Sequence, residues 1–233
     1  MDSRNFFTGL RKTFPFMVGL IPFGLAYGIM GAQAGLNLAE IMFMSVVVFA
    51  GSAQFMAVEM ISQNIGIVFI AFSTLLINLR HILMGLSLSQ YLSRLRSSWL
   101  YILAFGMVDE TYAVTIDYYQ KSAGGSGNPY FMLGSSAGMY LSWLLTSFIG
   151  AILGSSIQDP LAWGLDFAMP ATFLSILIPQ IKSMRMLLVM LISGVSAVAF
   201  LLLIPGKWYI IMATLLAVAA GTAMEVVQER RSS

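Results

Sequence analysis

The chain has 233 residues, of which 58% are hydrophobic and 9% are charged, and its formal net charge is +2. Soluble globular domains carry about 25% charged residues, so this composition excludes a soluble globule and indicates an all-α membrane protein. The small net charge, with no basic stripe among the aromatics, argues against nucleic-acid binding. The lack of cysteine and the single histidine exclude disulfides and His-rich metal sites, so no metal or cofactor is expected.

Eight apolar segments are long enough to cross a bilayer, since a spanning helix needs about 20 apolar residues. Their predicted bounds are 14–34, 41–61, 65–88, 99–118, 130–155, 162–181, 186–203 and 208–226. Residues 1–13 carry three basic residues and one acid, which predicts a cytoplasmic lead-in without a cleavable signal peptide. A Gly-rich stretch, 124–129, divides this single transmembrane domain into two candidate pseudo-repeats, about 14–118 and 130–226.

The first and fifth segments contain residues that affect helix shape and packing. Pro15 and Pro22 lie in the first segment and predict a kink, because proline removes a backbone donor and clashes with the preceding turn. The fifth segment contains two G-x-x-x-G pairs, Gly134/Gly138 and Gly150/Gly154. Small residues at this spacing let another helix approach closely in lipid, a packing role that needs no further function.

A repeated block lies in the middle of segments two and six. Residues 49–55 read FAGSAQF and residues 167–173 read FAMPATF, so both place helix-weakening or polar residues in an apolar run. Both segments are therefore predicted to be broken or re-entrant. A broken helix has free N–H groups at one end and free C=O groups at the other, which suits an amino acid zwitterion. The predicted substrate contacts in the blocks are Gly51, Ser52, Gln54, Pro170 and Thr172, with a packing kink as the alternative.

The lysines and arginines predict the topology, because they favour the cytoplasmic side. They form four clusters, at 4–12, 94–96, 182–185 and 230–231. If segments two and six turn back, all four clusters and both termini are cytoplasmic, and only Lys121 and Lys207 lie outside. Each half then has three crossings, and the halves form an inverted repeat, a common plan in secondary transporters. Eight full crossings would instead give parallel repeats, with Arg94 and Arg96 outside.

Polar residues near the end of segment three are costly in lipid and therefore candidates for function. Arg80 is predicted to bind a substrate carboxylate through two parallel hydrogen bonds. Asn78 is a second substrate contact, and His81 shares its helix face and is an ion-coupling candidate. The alternative is that Arg80 and His81 extend to the cytoplasmic headgroups.

Three acidic residues complete the candidate site. Asp109 and Glu110 lie midway along segment four and are predicted to carry a coupled proton or to pair with Arg80, with a purely structural ion pair as the alternative. Asp166 precedes the second block and is either a further ion-coupling residue or a helix N-cap. The sequence has no G-x-S-x-G, P-loop or H-E-x-x-H motif, so an enzyme is not expected.

At these motifs the chain resembles the AzlC-type (azaleucine-resistance) family of branched-chain amino acid permeases. The matching stretches are PFGLAYG at 22–28, VFAGSAQF at 48–55, NLRHILMG at 78–85, Asp109-Glu110 and residues 165–173. The resemblance implies a multi-pass bacterial inner-membrane protein that exports branched-chain amino acids on an ion gradient. It also implies a small membrane partner, the AzlD-type subunit. A channel-like or facilitative pore for small solutes is the alternative function.

Overall fold

A computed structural model describes residues 2–93, 95–121, 127–156, 174, 178, 181, 183–203 and 208–232, and all regular structure in these ranges is helical. The helices are α1 (Ser3–Gln33), α2 (Leu38–Val47), α3 (Gly51–Ser62), α4 (Ile67–Asn78), α5 (Arg80–Leu92), α6 (Ser97–Phe105), α7 (Asp109–Lys121), α8 (Pro129–Ser156), α9 (Met184–Leu203) and α10 (Trp208–Ser232). Within these ranges, four stretches are long and apolar enough to cross a membrane: α1, α4 with α5, α8 and α9. The protein is therefore an all-α, multi-pass membrane protein.

Predicted segments one, five, seven and eight each correspond to one helix, α1, α8, α9 and α10. Residues 3–13 of the predicted lead-in form the first turns of α1, which begins at Ser3, where the Asp2 carboxylate accepts the backbone N–H of Asn5 and caps the helix. Both predicted kink prolines lie inside α1. The helix ends before Gly35, whose φ of +87° suits a residue without a Cβ.

The other three segments that the structure describes are interrupted. In segment two, α2 ends at Val47 and α3 begins at Gly51, and Phe49 between them has a φ of +42°, so the predicted break is present. Segment three is interrupted only at Leu79. Segment four is predicted as one uninterrupted segment, but its helix breaks between Phe105 and Asp109. The second block, with Asp166, Pro170 and Thr172, lies outside the described residues.

The chain divides into two compact units, residues 1–169 and 170–233. In the second unit, α9 and α10 lie beside each other, with Gly221 near Val189. They flank an open cleft of about 750 Å³ lined mainly by apolar residues, together with Ser183, Arg185, Ser193 and Glu225. The first unit contains α1 to α8, so the start of the predicted second pseudo-repeat packs with the first.

In the first unit, α1 and α8 lie side by side along most of their length. A Cβ atom at Gly134 would overlap the carbonyl oxygen of Phe6, and one at Gly150 would overlap that of Leu25. The early part of α1 thus meets the early part of α8 and the late part meets the late part, so the two helices run parallel. The predicted close approach at the glycine pairs of α8 is confirmed.

The start of α1 lies beside the end of α7 and the start of α8. The Asn128 amide donates to the Asp2 carboxylate at 2.8 Å, and the Tyr118 hydroxyl donates to the Asn5 side chain at 3.0 Å. Hydrogen bonds from Asn5 and then from Asn128 lower the pKa of Asp2, so this carboxyl is charged at neutral pH. These contacts place Asp2 and Asn5 at the same membrane face as Tyr118 and Asn128.

This shared face contradicts the inverted relation between the predicted halves. Three crossings in the first half would put residues 1–13 and Lys121 on opposite sides of a hydrocarbon layer about 30 Å thick. Side chains on opposite faces cannot form the hydrogen bonds between Tyr118 and Asn5. An even number of crossings therefore separates the starts of α1 and α8, and the prediction that Lys121 lies on the face opposite the N-terminus is wrong.

The helices α2 and α3 form a hairpin, which we call the first hairpin (residues 38–62). The Gln54 amide donates to the Ser45 hydroxyl at 3.3 Å, although these residues would be about 13 Å apart along a continuous helix. Tyr27 of α1 contacts both arms: its hydroxyl donates to the carbonyl of Ile41, and its ring lies 5.9 Å from that of Phe55. The chain therefore reverses direction at residues 48–50.

The helices α6 and α7 form the second hairpin (residues 97–121), which lies along the early half of α8. Near its start, Trp99 packs on Tyr130, and near its end Tyr118 stacks on Phe131 with ring centroids 3.8 Å apart. Its tip reaches further along α8, where the Phe105 ring lies 5.7 Å from Tyr140. The tip of the first hairpin reaches the same place, since Phe49 lies 6.2 Å from Phe105.

Candidate functional site

Arg80 connects the two hairpins at the middle of a membrane span. It is the first residue of α5, roughly 18 Å from either end of the α4–α5 stretch at 1.5 Å per residue. Its Nη2 donates to the Ser52 hydroxyl at 2.6 Å, and its Nη1 lies 2.7 Å from an Asp109 carboxylate oxygen. The interpretation that Arg80 extends to the headgroups is therefore wrong, while the predicted pairing with Asp109 is confirmed.

Each of these three residues lies at the start of a helix. Ser52 is the second residue of α3, Arg80 begins α5 and Asp109 begins α7. The start of a helix has N–H groups without intrahelical partners and the positive end of the helix dipole. The contacts thus join the starts of α3 and α7 to the guanidinium of Arg80, where α5 continues α4 through the helical backbone of Leu79. Two helix N-termini and a guanidinium, with a carboxylate in direct contact, have the chemistry that binds an anionic oxygen. The Arg80 side chain is 32% exposed and that of Asp109 is 48% exposed, so the protein encloses neither side chain completely.

Buried polar side chains form hydrogen bonds with the backbone at both hairpin tips and so stabilise the helix breaks. At the first tip, the Gln54 carbonyl oxygen accepts the backbone N–H of Ala50 at 3.2 Å while its amide nitrogen donates to Ser45. At the second tip, the Thr111 hydroxyl accepts the backbone N–H of Val108 at 2.8 Å. Gln54 has no exposed surface, so the structure places this predicted substrate contact in the frame of the hairpin.

Asn78, His81 and Glu110 lie close to Arg80 or to its partner Asp109 along the chain. The side-chain oxygen Oδ1 of Asn78 and the Nε of Arg80 are buried without a partner in the described part of the chain. The His81 ring nitrogen Nδ1 lies 3.1 Å from the backbone carbonyl of Asn78. Glu110 follows Asp109 in the first turn of α7. Asn78 thus has an acceptor and Arg80 a donor without a described partner, a combination that suits a ligand with both an ammonium and a carboxylate.

One face of α8 lies against both tips and was not predicted as part of the site. A Cβ at Gly106 would lie 2.5 Å from Ser136, and one at Gly51 would lie 3.4 Å from the Trp143 ring. The Ser136 hydroxyl and the Trp143 ring nitrogen are buried without a described partner. Their spacing, with Tyr140 between them, is that of one helix face, which is the only signal the sequence offered. Among the described residues, no three acidic or histidine side chains group as metal ligands.

Comparison with known proteins gives a consistent family. A family model described as "AzlC protein" matches residues 15–157. The branched-chain amino acid transport protein AzlC of Bacillus subtilis (strain 168) is 31% identical over 221 residues, 92% of this chain and 85% of that protein. An uncharacterized membrane protein of Archaeoglobus fulgidus is 30% identical over 203 residues, 86% of this chain and 87% of that protein. Inner membrane protein YgaZ of Escherichia coli (strain K12) is 29% identical over 192 residues, 80% and 78% respectively. No solved structure matches the chain.

Proposed function

Since the chain belongs to the AzlC family of membrane transport proteins, we propose that it is a secondary exporter of branched-chain amino acids. The name of the Bacillus subtilis relative supports this substrate class. The proposed exporter uses an ion gradient and works with a small AzlD-type membrane subunit. It resides in the bacterial inner membrane, with its N-terminus in the cytoplasm.

The proposed topology has two re-entrant hairpins that enter the membrane from opposite faces. Four helices of 9 to 13 residues form the hairpins, and each is too short to cross about 30 Å alone. The contact between Ser45 and Gln54 supports the reversal of the first hairpin, and the contacts of Trp99 and Tyr118 with the start of α8 support that of the second. This second hairpin, rather than segment six, is the proposed counterpart of the first.

The positive charges of the first unit support the orientation. One end of the unit carries Arg4, Arg11, Lys12, Arg96 and Lys121. The connections at the opposite end, residues 34–37 and 63–66, contain no lysine or arginine. Because positive residues favour the cytoplasm, the end with the start of α1 is the proposed cytoplasmic face.

The observation that carries the proposed function is the position of Arg80 between Ser52 and Asp109 at mid-membrane. In the proposed complex the substrate carboxylate binds Arg80 and the free N–H groups of α3 and α7. The ammonium binds the unpartnered oxygen of Asn78 and the free carbonyl groups where α2 and α6 end. Asp109, displaced from Arg80, then becomes free to take up the coupled proton.

Counterflow in proteoliposomes tests this function. Proteoliposomes that contain the full-length protein, with or without an AzlD-type subunit, are loaded with valine. Labelled amino acids are then added outside. We expect saturable exchange of valine, leucine and isoleucine. Arg80→Lys should raise KM about tenfold or more, because an ammonium lacks the planar fork that binds a carboxylate. The control Arg96→Lys should leave KM unchanged. A channel-like pore, the alternative function, would give flux that neither saturates nor exchanges, and that result would contradict the proposal.

A further inference from the structure

Three aromatic rings meet where the two hairpin tips touch α8. The Phe49 ring of the first tip lies 5.0 Å from that of Tyr140 and 6.2 Å from that of Phe105 at the second tip. The Phe105 and Tyr140 rings lie 5.7 Å apart. We call these three residues the aromatic cluster. Phe49 is 5% exposed and Phe105 is 47% exposed, so Phe105 is the more accessible of these two rings.

The backbone of Phe49 indicates that its ring is required at this position. Its φ of +42° is unfavourable for a bulky residue, whereas glycine or asparagine adopts that region readily. Strained residues of this kind lower stability and concentrate at active sites, ligand sites and switch regions. A tip that only had to turn would be more stable with a small residue at position 49.

The aromatic cluster lies within reach of the Arg80 site. Phe49 is three residues before Ser52, which limits the separation of their Cα atoms to about 11 Å. Phe105 is four residues before Asp109, which limits theirs to about 15 Å. Both Ser52 and Asp109 contact the Arg80 guanidinium. Both limits allow the cluster to lie beside a small amino acid whose carboxylate binds Arg80.

We propose that Phe49, Phe105 and Tyr140 form the pocket for the apolar side chain of the substrate and set its upper size limit. This inference rests on the proposed function, because it needs a substrate that carries an apolar side chain. Three rings offer a dry apolar surface without a charged group, which suits branched aliphatic side chains and excludes charged ones. The accessible ring of Phe105 is where a larger side chain would meet the pocket.

Relative transport rates test the pocket. The full-length protein in proteoliposomes, with and without an AzlD-type subunit, is assayed by counterflow with alanine, valine, leucine and phenylalanine. Phe105→Leu and Phe105→Ala should raise the ratio of kcat/KM for phenylalanine to that for valine about tenfold, the effect expected for adding space in an apolar pocket. Tyr140→Phe keeps the ring and should keep the ratio. Phe43→Ala on α2 removes a ring that is 67% exposed and is the matched control.

The outcomes separate this inference from the function on which it rests. If the Phe105 variants transport all four amino acids more slowly in the same proportion, the cluster only packs the tips and the inference is wrong. A shift of equal size in Phe43→Ala also contradicts it. If the wild-type protein exchanges none of the four amino acids, the proposed function fails first. Phe49→Gly, which removes the ring and relieves the strained φ, should change the ratio in the same direction as Phe105→Ala.

Discussion

Arg80 is an arginine in the middle of a membrane span, and its neighbours explain how the bilayer tolerates it. A guanidinium keeps its charge in proteins, so it needs a counter-charge and hydrogen-bond acceptors when it leaves water. The Asp109 carboxylate supplies the counter-charge and one acceptor, and the Ser52 hydroxyl is a second acceptor. A substrate carboxylate that replaces Asp109 keeps the number of ion pairs constant, so the exchange does not leave the arginine uncompensated.

Asp109→Asn tests whether this aspartate carries the coupling. The amide keeps the shape of the side chain but neither pairs with Arg80 as an anion nor takes up a proton. We expect KM to fall about threefold or more, because the internal competitor is gone, and we expect proton-driven accumulation to be lost. Counterflow, which needs no net proton movement, should persist. Glu110→Gln is the control and should keep proton-driven accumulation. If both variants retain proton-driven accumulation, neither Asp109 nor Glu110 carries the coupled proton.

The hairpins show which helix breaks a sequence reveals. The first break follows from Gly51, Ser52 and Gln54 in one apolar run, and it lies where the block predicts. The second break has a lone glycine, Gly106, which single-sequence reasoning tolerates inside a helix. Its causes are the tertiary contact of Gly106 with Ser136 and the cap from Thr111. The acidic pair at 109–110 after a glycine is a helix-start signal that would have found it.

The course of the helices was harder to predict than their existence. The segments matched by α1, α8, α9 and α10 follow from long apolar runs. The direction in which each helix crosses the membrane does not follow from these runs, because an apolar run is equally compatible with either direction. The charge pattern predicts three crossings in the first half if segment four crosses once without a break. The contact of Tyr118 with Asn5 shows that the chain returns to its starting face before α8.

At the element scale, Gly28→Ala and Gly19→Ala are a matched pair on α1. A Cβ at Gly28 would overlap backbone atoms of Ser147 and Gly150 on α8, whereas at Gly19 nothing lies within 4 Å. Overpacking of this kind costs about 1–3 kcal/mol, while alanine in an open helix position gains up to about 1 kcal/mol. We expect Gly28→Ala to lower the thermal unfolding temperature of the detergent-solubilised protein and Gly19→Ala to leave it equal or higher. Equal effects of the two variants would contradict the close α1–α8 contact.

For the first unit as a whole, the asymmetry of charge between its two ends is the strongest topological signal. All its lysines and arginines that the structure describes, apart from Arg80, lie at the end where α1 starts and α8 starts. The other end has the acids Glu40 and Glu59 near its turns. Two full crossings and two re-entrant hairpins produce this separation, whereas three crossings would divide the positive residues between the faces.

Single-cysteine labelling tests this topology directly, because the natural chain contains no cysteine. Ser62→Cys lies in an exposed position at the end of the first hairpin, and Lys121→Cys lies at the end of the second. A membrane-impermeant maleimide applied to intact cells should label Ser62→Cys and spare Lys121→Cys until the membrane is opened. Ser97→Cys, at the start of α6, should behave like Lys121→Cys. Labelling of Lys121→Cys from outside would contradict the shared cytoplasmic face.

The glycine contacts between α1 and α8 also decide which parts of the first unit can move during a transport cycle. Backbone lies against backbone at Gly28 and Gly150, so sliding one helix past the other would drive Cβ atoms into carbonyl groups elsewhere along the contact. The hairpins touch each other through the rings of Phe49 and Phe105, and Arg80 of α5 joins them by its hydrogen bond to Ser52 and its ion pair with Asp109; these contacts can break and re-form within a cycle. We therefore expect the α1–α8 pair to stay fixed during transport, and opening to either side of the membrane to be a motion of one hairpin at a time against this pair.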